Sequence, residues 1–351
     1  MPGINTYVEP LEQIDLTDTD SPQEVNLKKS VLMTALELRM EGAITLSGGS
    51  TSGTLLTETP HNIIEWVMCE RDGIEFVKRI PGRMLAVLQR AMSASPPRFT
   101  TFADGSAATT NFSATYFIPF ALPLIVNPFE TVGYYPPVSD TYKLHVKRIA
   151  TPGVSDFFTG NDRTFSLDSL TIQPYVHYAR TPVSYRPKLL PRYEVADSDV
   201  IAASQDRFPM NVFTLPNERL AMVIQGALRD GVGVDDIITE VNFKTDRTNI
   251  FDRVPPARFV EQQNRFYPGI DASAGALEVS TSQAMPVGYY LYNFLSDAYA
   301  GRWGLGKIRQ ALDAQRNNGY QFQNNVTHTS GTEQLRNLLV NLESVPGWTS
   351  L

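Results

Sequence analysis

The chain has 351 residues, 42% apolar, 10% aromatic and 19% charged, with 30 Lys and Arg against 37 Asp and Glu for a formal net charge of −7. That length accommodates two domains, and a charged fraction below the usual quarter, together with 24 Pro, points to large buried interfaces rather than a free monomer. No apolar run reaches the roughly 18 residues of a membrane helix, the start MPGINTYVEPLEQ lacks the regions of a signal peptide, and the single Cys69 leaves no disulfide framework, in keeping with assembly in a reducing cytoplasm.

In chain order, residues 1–27 come first, with six acids (Glu9, Glu12, Asp15, Asp18, Asp20, Glu24) and no Lys or Arg. The rest of the chain is nearly neutral. Residues 1–29 read as an acidic arm, either solvated or ordered against a neighbouring subunit or a basic partner. A nucleic-acid packaging tail has the opposite charge, so no direct nucleic-acid binding is expected.

Residues 30–180 read as a first β-sandwich. Leu36, Leu38 and Met40 alternate with Glu37, Arg39 and Glu41, apolar on one sheet face and charged on the other. SGGSTSGT (47–54) reads as a flexible connection. Pro81 opens GRMLAVLQRAM, whose Met84, Leu85, Val87, Leu88, Ala91 and Met92 make one helical face behind a first-turn proline. The aromatic run FSATYFIPFAL (112–122) follows. Tyr142, Leu144 and Val146, and then Leu170, Ile172, Val176 and Tyr178, again alternate with polar residues. The Pro-rich TPVSYRPKLLPR (181–192) reads as a linker, and 193–351 as a second sandwich with a C-terminal tail. There Leu220, Met222 and Ile224 predict a strand face, Pro255 opens a second helix, VGYYLYNFL (287–295) predicts a buried strand, and Leu305–Arg316 predicts a third helix.

The two halves repeat. IIEWVMCERDGIEFVKRIP (63–81) and IITEVNFKTDRTNIFDRVP (237–255) align without a gap and share six of 19 residues: Ile63/Ile237, Ile64/Ile238, Val67/Val241, Asp72/Asp246, Arg79/Arg253 and Pro81/Pro255. Unrelated stretches of that length share about one. Upstream, Leu36-x-Leu38-x-Met40-x-Gly42-Ala43-Ile44 matches Leu220-x-Met222-x-Ile224-x-Gly226-Ala227-Leu228. The offset there is 184 rather than 174, which makes the connecting loop ten residues shorter in the second copy. The chain is therefore all-β: two tandem sandwiches, each with a short helical insertion after the same strand.

No catalytic constellation emerges. Gly301–Lys307 has the spacing of a phosphate-binding loop, but Ile308 stands where Ser or Thr must hold magnesium. Gly49-Ser50-Thr51-Ser52-Gly53 lacks the strand-to-helix setting of a nucleophile elbow. His61, His145, His177 and His328 form no metal-ligand spacing. Cys69 lies within a strand and reads as a buried small apolar residue. Asp18/Asp20, Asp197/Asp199 and Asp235/Asp236 read as solvated turns without a full calcium loop, with an interfacial Ca2+ as the alternative. Asn111-Phe112-Ser113 and Asn325-Val326-Thr327 spell glycosylation sequons.

The succession ELRMEGAITLSG (37–48), IIEWVMCERDGIEFVKRIPGRMLAVLQ (63–89), FSATYFIPFAL and YKLHVKRI (142–149) resembles the major capsid proteins of membrane-containing, corticovirus- and tectivirus-like bacteriophages. The resemblance covers roughly residues 30–180, and the internal repeat extends it to the second half. It implies two eight-stranded jelly rolls per chain, with loops that make unequal towers, and a homotrimer with a pseudo-hexagonal outline that tiles an icosahedral shell. It also implies an internal membrane under the shell, neighbouring capsomers, penton and membrane-associated proteins as partners, and a virion capsid assembled in host cytoplasm. Asp18 and Asp20 in the arm, and Pro346, Trp348 and Leu351 in the tail VPGWTSL (345–351), are the candidate assembly residues, Trp348 as the anchor. The second reading is a carbohydrate-binding jelly-roll protein, a phage spike or lectin, with Tyr134/Tyr135 or Tyr289/Tyr290 stacking on sugars. An enzyme is the third, its lead being the Gly301–Lys307 loop.

Overall fold

A computed structural model describes residues 6–56, 59–93, 106–120, 141–179, 189–196, 199–212, 218–245, 249–266, 287–294, 312–313 and 320–344. The chain divides into two compact units, the first carrying the strands up to residue 179 and the second those from residue 189.

The first unit runs β1 (Thr6–Pro10), β2 (Ile14–Asp15), β3 (Gln23–Asn26), β4 (Leu32–Ser47), β5 (Thr54–Leu55), β6 (Ile64–Arg71), β7 (Ile74–Ile80), α1 (Gly82–Ser93), β8 (Thr109–Pro119), β9 (Tyr142–Arg148), β10 (Phe158–Thr159) and β11 (Thr164–Ala179). The second runs β12 (Leu189–Val195), β13 (Asp199–Ile201), β14 (Gln205–Val212), β15 (Glu218–Arg229), β16 (Val232–Gly233), β17 (Ile238–Thr245), β18 (Asn249–Val254), α2 (Pro256–Phe266), β19 (Tyr289–Asn293), β20 (Leu312–Asp313), β21 (Tyr320–Val326) and β22 (Glu333–Ser344).

In the first unit one sheet has the order β1–β11–β4–β8, with β2 also on β11, and the other β3–β9–β6–β7. In the second unit β12–β22–β15–β19 faces β14–β21–β17–β18. The two orders correspond strand for strand. Each sheet mixes strands from both ends of its unit, the jelly-roll connectivity. The pairings are antiparallel throughout.

The repeat is exact at the level of elements. β6 and β17 begin and end at positions 174 apart, and α1 and α2 begin 174 apart. Each copy places two extra residues on the second strand of its hairpin, the first of them just ahead of the helix: Val67 pairs Ile80 and Cys69 pairs Val77, while Val241 pairs Val254 and Phe243 pairs Phe251. The identical Arg79 and Arg253 lie in these bulges at φ 39° and 52°. A bulge ahead of the helix bends the strand, and the following proline starts the helix.

Alternation holds where it was expected on β4, β9 and β11: Leu36, Leu38, Met40, Tyr142, Leu144, Val146, Ile172 and Val176 are buried. On β15 it breaks. A bulge between Leu220 and Met222 shifts the register against β22. Leu220, Val223 and Ala227 enter the core cluster, whereas Met222 and Ile224 lie outside it, buried on the opposite side. One extra residue flips every later side chain to the other face, so the expected single face Leu220/Met222/Ile224 is corrected.

Three further expectations change. Within the segment 1–29 expected as an arm, residues 6–26 carry strands of the first jelly roll: β1 and β2 pair with β11 and β3 pairs with β9, because Ile14, Leu16, Val25 and Leu27 bury in the core despite the acids around them. The second unit takes up the chain within the Pro-rich 181–192, since Leu189–Arg192 pairs with β22. Of the helix expected over Leu305–Arg316, Leu312–Asp313 is instead a short strand on β15, an edge whose backbone groups need partners; the remainder lies outside the described residues.

The two helices differ. Met84, Leu85, Ala86, Val87, Leu88 and Ala91 of α1 are all fully buried, against β8 and β6. On α2 Phe259 is buried and Val260 half-buried, while Ala257, Arg258 and Glu261 are exposed. The cores differ too. The second is aromatic, with Phe243 tilted 4.5 Å from Phe322 and stacked 5.4 Å from Phe294, and Tyr292 edge-on 4.8 Å from Phe259.

Candidate assembly elements

The acids of the N-terminal segment divide into two groups. Glu9 accepts from Lys28 and, at 3.0 Å, from the Tyr178 hydroxyl; Tyr7 stacks on Tyr178 at 5.4 Å. Asp15 accepts from the Thr17 N–H at 2.9 Å, which lowers its pKa. Glu24 pairs with Lys143 at 2.7 Å and lies 3.8 Å from His145. These three bind the segment to its own unit. Glu12, Asp18 and Asp20 are exposed and bond to nothing among the described residues. They form the free negative charge of this end. The residues Pro346, Trp348 and Leu351 lie outside the described residues, as do Gly301–Lys307, Asp197, Tyr134 and Tyr135.

The connection 47–54 is pinned rather than flexible. Asp162 accepts from the N–H groups of Ser50 at 3.0 Å and Thr51 at 2.8 Å, and those two bonds hold its carboxyl below the usual range. Arg163 donates to Gly48 O at 2.6 Å. Thr54–Leu55 pairs with β10. The connection between β4 and β6 thus contributes β5 to a two-stranded sheet with β10, where the second copy has only 230–237 between β15 and β17.

The histidines are structural in their surroundings. His61 is fully buried, with Nδ1 2.9 Å from the Tyr116 hydroxyl, and burial lowers its pKa to about 3. His177 lies 2.9 Å from Glu37, His145 3.3 Å from Glu70 and His328 2.8 Å from Glu333. Among the described residues no group of three or more His, Cys, Asp or Glu could hold a metal ion. Cys69 is buried and its thiol pKa pushed far up by burial, so it is not a reactive thiolate. Asp235 and Asp236 have structural partners: Asp235 accepts from Gly288 N–H at 2.7 Å, and Asp236 pairs with Arg229 at 2.9 Å. Tyr289 and Tyr290 are 3% and 1% exposed, which removes them as sugar-stacking platforms.

Among the described residues the exposed large apolar ones are Tyr7, Val8, Ile74 and Val200, on three different strands, and scattered residues of this kind are ordinary. The four histidines, Cys69, Asp162, Asp235 and Asp236 are thus buried in the unit or paired within it. The sequence reading missed the pinning role of Asp162; its signal was the Asn-Asp-Arg run at 161–163, a turn composition.

No protein-family model matches the chain, and no curated protein does. Solved structures do. The major capsid protein of STIV, Sulfolobus Turreted Icosahedral Virus, superposes with a TM-score of 0.70 at 12% identity, covering 99% of this chain and 100% of that one. The major capsid protein P2 of bacteriophage PM2 gives 0.58 at 12% identity, with 98% and 99% covered. The PBCV-1 virus capsid gives 0.58 at 10% identity, with 99% and 96% covered. The fold is therefore the double jelly roll, as the resemblance implied. At these identities the likeness defines the fold, and strand order carries it rather than shared residues.

Proposed function

We propose that this chain is the major capsid subunit of an icosahedral virus. The observation that carries the reading is that both halves are complete jelly rolls with equivalent strand order, in a fold shared end to end with viral major capsid proteins. Three chains bring six similar units, so a homotrimer presents a pseudo-hexagonal outline that tiles flat faces of a shell. Neighbouring capsomers are the first partners. Penton and membrane-associated proteins, an internal membrane and assembly in the host cytoplasm complete the proposal. The free acids Asp18 and Asp20 and the tail residues Pro346, Trp348 and Leu351 are proposed as contacts between neighbours. The chemistry is self-association, with no catalytic step. The carbohydrate-binding reading loses support with the burial of Tyr289 and Tyr290.

Native mass spectrometry and negative-stain imaging of the purified chain test the proposal. The expected result is a trimer of three times 39.1 kDa, about 117 kDa, with a six-sided outline. A monomer, or a trimer without that outline, rejects it.

A further inference from the structure

Arg192 on β12 and Asn341 on β22 are direct cross-strand partners, and Leu220 on β15 faces Asn341 from the other side. Leu220 belongs to the core of the second unit, so the three side chains share its core-facing side. Asn341 is fully buried and Arg192 is 6% exposed. The guanidinium is gripped at two corners: Nη1 donates to the buried Glu218, and Nη2 donates to Glu194 at 2.5 Å. Its Nε makes no hydrogen bond, and neither do Nδ2 and Oδ1 of Asn341, although all three atoms are shut off from solvent.

Other polar groups of the same core find direct partners. Gln225 Nε2 donates to Asn337 Oδ1 at 3.0 Å, and Gln225 Oε1 accepts from Asn324 at 2.8 Å and Tyr292 at 3.2 Å. Burial alone therefore does not leave amides unmatched here. Buried groups of this kind are satisfied by protein or by ordered water.

Chemistry selects the occupant. A cation would face two N–H donors. An anion would sit beside Glu218, Glu194 and the neighbouring Glu343, three carboxylates against one guanidinium. What remains is a small neutral molecule that both accepts and donates, which is water. We propose that a buried water links Arg192 to Asn341, accepting from Nε–H and donating to Oδ1. It extends the polar seam that joins β12, β22 and β15 on the core side.

Two measurements on the full-length chain test the site: a high-resolution density map, and the Tm of Asn341→Leu against the unaltered chain. A solvent peak within hydrogen-bond reach of Arg192 Nε and the Asn341 amide is expected. Asn341→Leu then strands Arg192 Nε and its water, and Tm falls by about 3 °C or more. A direct Arg192–Asn341 hydrogen bond, or a dry gap with unchanged or raised Tm in Asn341→Leu, overturns the proposal. If Asn341→Leu fails to fold, the map of the unaltered chain decides.

Discussion

Gly42 and Gly226 show how much one residue can hold. Each stands directly opposite an aromatic residue on the neighbouring strand, Phe112 and Tyr289. A Cβ on Gly42 would lie 2.4 Å from the Phe112 ring and 2.9 Å from Ser169 O; on Gly226 it would lie 2.9 Å from the Tyr289 ring. Gly42→Ala is expected to cost about 1–3 kcal/mol, as overpacking does, and more than Gly226→Ala, where only a ring must yield. Chemical denaturation of both variants checks the ranking. His61 sets a pH dependence. Its folded pKa of about 3 lies below the unfolded value near 6.5. The unfolded chain therefore takes up the proton first as pH falls. The contribution of His61 is complete above pH 6.5 and is lost progressively towards pH 3, by up to about 1.4 kcal/mol per pH unit. Stability measured from pH 7 to 4 is expected to fall less steeply in His61→Gln; an identical slope would show that His61 does not titrate on unfolding.

At the scale of elements, the bulge ahead of each helix was carried in the repeat, but its geometry was not. Arg79 and Arg253 are one of the identical pairs of the repeat, and what they share in the structure is a left-handed backbone. Arg253 is exposed and its N–H is held by Asn242 Oδ1 at 2.7 Å, a bond that any residue keeps. Left-handed geometry costs an L-residue about 1–2 kcal/mol. Arg253→Gly is thus expected to raise Tm, and Arg253→Val to lower it, in a thermal melt. The same gap between pattern and geometry appears on β15. Period-2 reading of Leu220, Met222 and Ile224 was sound up to a bulge that no residue type announces. Acidic residues 1–27 misled for another reason: Ile14, Leu16, Val25 and Leu27 carry the strands, and charge on the alternate positions hides so sparse an apolar pattern.

For the whole molecule, the free charge of Glu12, Asp18 and Asp20 lies on a segment otherwise tied down by Lys28, Thr17 and Lys143. Assembly is proposed to use that charge and the tail. Deleting residues 346–351 is expected to leave each jelly roll folded, with an unchanged far-ultraviolet circular dichroism spectrum. The proposed trimers, or sheets of them, should then dissociate at lower dilution in analytical ultracentrifugation. Unchanged association would remove the tail from the interface.

The sequence alone determined the duplication, the all-β class, the helix behind a proline in each half and the faces of β4, β9 and β11. Each of these is a local property, written in side-chain period or in the residue that starts a helix. Tertiary structure decided what depends on partners far along the chain. It brought residues 6–26 into the first unit, flipped β15 at its bulge and turned Leu312–Asp313 into an edge strand. It also closed Asp162 over Ser50 and Thr51. Backbone hydrogen bonds and buried charges are satisfied by whichever strand arrives beside them, and the chain order of a jelly roll separates those strands by a hundred residues or more, as between Arg192 and Asn341.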